Sequence, residues 1–296
     1  MELTCEGTFT DFLGIKFVKD EVTNTVTLTQ KGLIQKIIKA TGLQDCNPNH
    51  TPALQAHLGI DPDGEPMENE FWNVEMLLYL STNTRPDTTF AVSQVAWFNN
   101  SSKKSHASAI KTIVCFLHCT ADKGTIVTLT GNLSLDGFVD ADFAGLHGCD
   151  RDHSSTSAKS RTSYIITLRG CPILWKSQLQ TEISLSTLES EYSALSASMR
   201  TLLPLCDLLG EICKELTLPP DFKSTIHCCI FEDNNGALLL ATKQCITNRT
   251  KYFLDKWHFF WHHVCNGDVE VLKIATTDQL ADNLTKGLNR KVFKGI

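Results

Sequence analysis

The stretch LDGFVDADFAG, residues 135–145, sets three aspartates within seven positions of an apolar run. Read as a strand it alternates its side chains, so Asp136, Asp140 and Asp142 share one face while Val139, Ala141 and Phe143 take the other. Neighbouring carboxylates on one face repel. A carboxylate taken into a core costs several kcal/mol unless it is paired, hydrogen-bonded or bound to a cation. The strand therefore belongs to a buried sheet and raises the question of what its acids hold.

Around it the pattern is α/β. TIVTLT, TSYIITLRG and PILWKSQLQ read as further β segments, and a helix is predicted from about Thr187 to Leu216, with Pro204 expected to bend or break it. The strand TIHCCIFED, a helix from Asn235, a helical stretch FLDKWHFFWHHV, the strand VEVLKIAT and a last helix DQLADNLTKGL follow. Strands first, then strands alternating with helices, indicate a mixed sheet with helices packed on it. Upstream, TFTDFLGIKFVK and TVTLTQ form a predicted hairpin before a helix with apolar spacing at Leu33, Ile34, Ile37 and Ile38. Residues 44–70, rich in Pro, Asn, Asp and Gly, read as a long surface loop. Two helices are then expected, the first capped by Thr84 with Pro86 in its opening turn, the second spanning SHASAIKTIVCFLHCT. The domain boundary falls between 120 and 132, where helix gives way to strand.

The chain has 296 residues, 42% of them apolar, enough for a sizeable core and two domains. No run approaches the roughly 18 apolar residues that span a bilayer, and the start MELTCEGTFTDF has neither a basic end nor an apolar signal core. The twelve cysteines are scattered without a C-x-x-C pair, which suits reduced intracellular thiols rather than a disulfide framework. A net charge of −6 argues against a protein whose main task is to coat nucleic acid. It leaves room for an enzyme with an acidic metal site and a local basic track such as Lys286, Arg290, Lys291 and Lys294.

Taken singly, the candidate acids have ordinary explanations. Asp140 near a strand end could mark a turn as well as a ligand. Ser186 and Glu189 stand in capping-box relation, which gives Glu189 a structural task. Glu191 interrupts the apolar stripe running from Leu188 through Leu195 to Met199 and Leu202, and is the better ligand candidate. Asp233 ends a strand where a helix begins, a place for a cap but also where α/β sites assemble. Asp282 falls in the first turns of the last helix, where it complements the dipole. Four acids on two strand ends and two helices of one domain form a more specific pattern together.

At these residues the chain resembles the Pol polyprotein of copia-type LTR retrotransposons, over the end of reverse transcriptase and the ribonuclease H domain. The resemblance is carried by FVDADFAG, SRTSYII, LWKSQLQTEISLSTLESEY, EDNNGALLLA, NRTKYF…WHFF and TTDQLADNLTKGL in order, and upstream by FLGIKF, LTQKGLIQKI, LLYLSTNTRPDTTFAVSQV and SHASAIKTI. It implies an α/β, ribonuclease H-like mixed five-stranded sheet with flanking helices at residues 125–296. A smaller α+β thumb and connection region, the end of reverse transcriptase, would precede it at residues 1–124. Asp140, Glu191, Asp233 and Asp282 match the family's acidic quartet, with Asp142 accessory. The quartet implies two Mg²⁺ ions, or Mn²⁺ in their place, because hard cations prefer oxygen ligands. Two metals about 4 Å apart stabilise the attacking and leaving oxygens of an in-line phosphate displacement. The implied substrate is the RNA strand of an RNA–DNA hybrid, and the implied partner is the rest of the polyprotein. Phe12, Leu13 and Gly14 match the primer-grip region, and Arg161, Lys176, Arg249, Lys251 and Lys286 are the further nucleic-acid-binding candidates. The implied location is intracellular, in a cytoplasmic virus-like particle or the nucleus.

The polymerase's Tyr-x-Asp-Asp motif is absent from these residues, so this chain alone is not expected to synthesise DNA. Ser163 and Ser190 replace the small residues usual in the family, and Glu75, Trp97 and CFLHCT stand where glycine, arginine and an Arg-Tyr-Leu stretch are expected. Two functional readings stay open: an active ribonuclease H fragment, and a catalytically inactive, decayed remnant that at most binds nucleic acid. A zinc site from His258, His262 and Cys265 is a lesser rival, with no fourth ligand specified.

Overall fold

The computed structural model describes residues 10–53, 57–67, 73–128, 134–147, 158–215, 226–243, 261–288, 290 and 293. Two sheets organise it. The first joins β1 (Asp11–Phe12), β2 (Ile15–Asp20), β3 (Thr25–Thr29) and β4 (Thr125–Thr128) in that order, all antiparallel. Leu13 and Gly14 both take positive φ, which closes the tight turn between β1 and β2. β4, expected to open the second region, pairs with β3 instead.

Four helices build the first core: α1 (Lys31–Thr41), α2 (Asn73–Asn83), α3 (Thr89–Trp97) and α4 (Lys104–Cys119). Ile34, Ile37, Leu77, Leu80, Val95, Ile113 and Leu117 meet in it, fully buried or nearly so. Each such side chain contributes about 1.5–3 kcal/mol of transfer free energy. The sequence reading passed over α2, and Thr84 is no helix cap: its hydroxyl donates to Gln30 Oε1 at 2.8 Å, and a short 3₁₀ turn (Pro86–Thr88) precedes α3.

The second sheet is five-stranded and mixed, as expected. It consists of β5 (Ser134–Asp142), β6 (Arg161–Leu168), β7 (Cys171–Leu179), β8 (His227–Glu232) and β9 (Glu270–Lys273), in the order β7-β6-β5-β8-β9. β5, β6 and β7 are antiparallel, while β8 and β9 run parallel to β5. Arg169 and Gly170, both at positive φ, make the β6–β7 turn. α5 (Thr187–Glu215) crosses one face, burying Tyr192, Leu195, Met199 and Leu202 against Leu135, Val139, Ile166 and Ile230. Those helix positions recur at three- and four-residue spacing, which is why one stripe meets the sheet. α6 (Asn235–Thr242) follows β8 and is capped by Asn234, whose Oδ1 accepts from the Gly236 and Ala237 N–H groups. Pro204 neither ends nor breaks α5. It lies on the exposed side, where water can satisfy the carbonyl it leaves without an N–H. The expected last helix is two 3₁₀ turns, Thr276–Asp278 and Leu280–Leu284. No helix among the described residues is long and apolar enough to cross a membrane.

Candidate metal centre

β5 and β8 are paired up to Phe138 and Phe231, whose rings stack at 5.0 Å between centroids. Asp140 lies two residues beyond Phe138 on β5 and so projects on the same side as its ring, while Asp233 follows directly after the end of β8. Between the carboxyl ends of the strands, Gln279 donates its amide to the carbonyls of Val139 at 2.8 Å and Phe231 at 3.3 Å. That side chain seats the C-terminal 3₁₀ segment over the strand ends. Glu191 arrives from the first turns of α5. Oxygens of Asp140, Glu191 and Asp233 lie within 4.8 Å of one another, with Asp140 and Glu191 buried and Asp233 partly so.

The charges are costly without a cation. Burial, with repulsion from Asp282 and Asp233, pushes the Asp140 carboxyl up to about 6, against a hydrogen bond from Thr285 and the charge of Lys286. Burial, then Glu232, Asp140 and Asp233, push Glu191 up to about 10, although the Ala141 N–H donates to it. Oε2 of Glu191 is buried and has no hydrogen-bond partner among the described residues. A buried carboxylate with an orphaned oxygen, grouped with two others within 4.8 Å, is the environment that a hard divalent cation satisfies, so the residues present fit such an ion.

The other candidates divide. Asp282 stands beside the trio and influences Asp140, but it is ion-paired with Lys286 and falls outside the group of three. Asp142 shares the Asp140 face, yet its Oδ2 lies 3.3 Å from His57 Nε2 and the carboxylate packs on the turn at Gly145. Asp136 is partly buried, and burial raises its pKa. Arg161 does not face nucleic acid: it is 5% exposed, its guanidinium lying over the Phe90 ring and donating to Ser93 and Ser177. Lys176 is exposed on β7, and Phe12 and Leu13 are exposed at the hairpin tip, where Tyr79 donates to the Leu13 carbonyl. Arg249, Lys251 and His258 lie outside the described residues. Ser163 is accommodated by donating to the Ala281 carbonyl at 2.8 Å, and Ser190 by donating to that of Thr187. Glu189 does cap: its carboxylate accepts the Leu185 N–H, and its own N–H donates to Ser186.

Two residues escaped the sequence reading. Glu232, fully buried, accepts the Asn234 N–H at Oε1 and leaves Oε2 without a partner among the described residues. Alternation with Cys228 and Ile230 puts it on the inward side of β8 and could have revealed it. Thr285, also fully buried, donates to Asp140 Oδ2 at 2.6 Å. Nothing local distinguishes that threonine.

No protein-family model matches the chain. It is 30% identical over 285 residues to the retrovirus-related Pol polyprotein from transposon RE1 of Arabidopsis thaliana, covering 96% of this chain and 18% of that protein. It is also 30% identical over 299 residues to the corresponding polyprotein from transposon TNT 1-94 of Nicotiana tabacum, covering 97% and 21%. The chain thus spans about a fifth of the length of the curated relatives it matches. Among solved structures, LC11-RNase H1 isolated from compost overlaps 52% of this chain and 93% of its own at 14% identity, with a TM-score of 0.35.

Proposed function

The chain belongs with the Pol polyproteins of copia-type retrotransposons, matching a segment of them, and on that premise we propose that it hydrolyses the RNA strand of RNA–DNA hybrids. The observation that carries this reading is the convergence of Asp140, Glu191 and Asp233 within 4.8 Å. Asp140, Glu191 and Asp233 would hold divalent cations, Mg²⁺ or Mn²⁺, whose chemistry would be charge stabilisation of the attacking and leaving oxygens of an in-line phosphate displacement.

The chain's own residues hold and orient these ligands. Thr285 fixes Asp140, and Thr276 donates to Asp233 Oδ2 at 2.8 Å. Lys286, paired with Asp282, keeps a positive charge at the rim where a phosphate would approach. Lys176 and the tip residues Phe12, Leu13 and Gly14 are proposed contacts for the hybrid, and the ribose 2′-OH is the group by which the site would distinguish RNA from DNA. The region through β4 is proposed as the end of reverse transcriptase and the region from β5 onward as the nuclease region, with the remainder of the polyprotein as partner and an intracellular location.

The test is cleavage of a labelled hybrid by the purified chain in Mg²⁺ or Mn²⁺. Parent protein should cut the RNA strand alone, and Asp140→Asn or Asp233→Asn should abolish cutting. Metal-independent cutting, or full activity in both variants, would overturn the assignment. Hybrid binding without cleavage by the parent would identify an inactive remnant.

A further inference from the structure

The N-terminal region grips the nuclease-like sheet at the strand that carries Asp140. Gln94 of α3 donates Nε2 to His57 Nδ1 at 2.9 Å, which leaves the other ring nitrogen as the donor facing Asp142 Oδ2 at 3.3 Å. Phe90, one turn before Gln94, meets the His57 ring edge-on at 5.7 Å and carries the Arg161 guanidinium over its face at 5.3 Å. Arg161 is the cross-strand partner of Asp142, and its NH1 donates to Ser93 Oγ at 3.0 Å and Ser177 Oγ at 3.2 Å. One face of α3 therefore holds both residues that flank Asp142, two positions beyond Asp140.

A second branch reaches Asp140 itself. Ser177 Oγ, which accepts from Arg161, donates to the Leu284 carbonyl at 2.6 Å. The next residue is Thr285, the donor to Asp140. These contacts are largely desolvated, with the His57 and Asp142 side chains 14% and 24% exposed. They are not the fully hydrated surface pairs whose net worth is close to nothing.

We propose that His57 and Arg161 are positioning residues of the carboxylate centre, through which the N-terminal region sets the placement of Asp140. Asp142 serves as the tether on which they act and is not a ligand. The proposal rests on the carboxylates holding metal, so its test reads metal affinity as well as cleavage.

Mn²⁺ alone is titrated into the full chain and followed by electron paramagnetic resonance, with thermal unfolding as the control for folding. His57→Ala should weaken Mn²⁺ binding about tenfold, the lower range for loss of an outer-shell partner. His57→Gln, which keeps a donor toward Asp142, should restore most of the affinity. Ser93→Ala, which takes one acceptor from Arg161, should weaken binding in the same direction by a smaller factor. The double variant His57→Ala/Thr285→Val should lose less than the product of the two single losses, because His57, through Asp142, and Thr285, directly, both act on the placement of Asp140. Parent-like affinity in His57→Ala or Ser93→Ala, no rescue by glutamine, or multiplying losses would overturn the proposal. A parent that binds Mn²⁺ but cuts no hybrid refutes the proposed activity while leaving this inference to be read from the affinities. A parent that binds no Mn²⁺ refutes both.

Discussion

Thr285 donates its hydroxyl to Oδ2 of Asp140 at 2.6 Å, linking the C-terminal 3₁₀ segment to the central strand of the sheet. The bond is buried and, with Asp140 ionised, has a charged acceptor, which places it among hydrogen bonds worth about 1.5–3 kcal/mol. Thr285→Val keeps the shape and removes the donor. Urea unfolding at pH 8 should register a loss of about 1–3 kcal/mol. The loss should shrink at pH 5, where the Asp140 carboxyl is protonated in the folded chain. An equal loss at both values would mean that the threonine serves packing alone.

Metal-free stability should fall as pH rises from about 4 to about 6. Below the ordinary value of 3.8, Asp140 is protonated in both states and imposes no cost. Between there and about 6 the unfolded chain has released its proton while the folded chain keeps it, so unfolding gains. Above about 6 the cost is complete for Asp140, and Glu191, raised to about 10, extends the decline into alkaline pH. Saturating Mg²⁺ favours the ionised carboxylates and should flatten or invert this slope. Thermal midpoints from pH 4 to 9, with and without Mg²⁺, measure the effect, and a metal-free curve that rises over pH 4–6 would contradict it.

Glu232 poses a narrower question, because its carboxyl is fully buried beside Glu191 and burial holds its pKa well above the usual range. Glu232→Gln retains an oxygen for the Asn234 N–H and removes an acid from beside Glu191. The metal-free variant should match the parent below the ordinary glutamate value of 4.5, where the carboxyl is protonated in both states, and exceed it increasingly as pH rises above that value. Glu232→Ala strands the Asn234 N–H and opens a cavity, and should lose about 2 kcal/mol relative to Glu232→Gln at every pH. Equal destabilisation by Gln and Ala would show that repulsion is not what this position contributes.

Asp140 and Glu191 were legible because each breaks a pattern: an acid on an apolar strand, an acid in an apolar helical stripe. The mixed sheet followed from the same periodicities. Partner choice was not legible. TIVT alternates equally well in either sheet, and only the register of Val26 with Val127 assigns β4 to the first. Arg161 reads as a surface cation in any one-dimensional scan. Its burial depends on Phe90 and Ser93, about 70 residues earlier in the chain and brought to it by tertiary packing. Thr285 and Gln279 were invisible for the same reason, since Asp140 and Val139, to which they donate, lie more than 100 residues away in sequence.

Asp282 separates a trio from a quartet. Sequence pattern groups it with Asp140, Glu191 and Asp233, whereas the short distances join only those three and Lys286 already neutralises Asp282. A cation binding only the folded chain stabilises it by about 2.7 kcal/mol at a hundredfold excess over its Kd. That stabilisation appears as a rise in thermal midpoint on adding Mg²⁺ or Mn²⁺. Asp140→Asn and Asp233→Asn each delete a ligand from the trio and should abolish the rise. Asp282→Asn should keep most of it, because Asp282 lies outside the trio and its charge is already balanced by Lys286. If all three substitutions erase the rise alike, Asp282 moves into the centre on metal binding. In that case the 3₁₀ segment seated by Gln279 must shift toward the strand ends when the ion arrives.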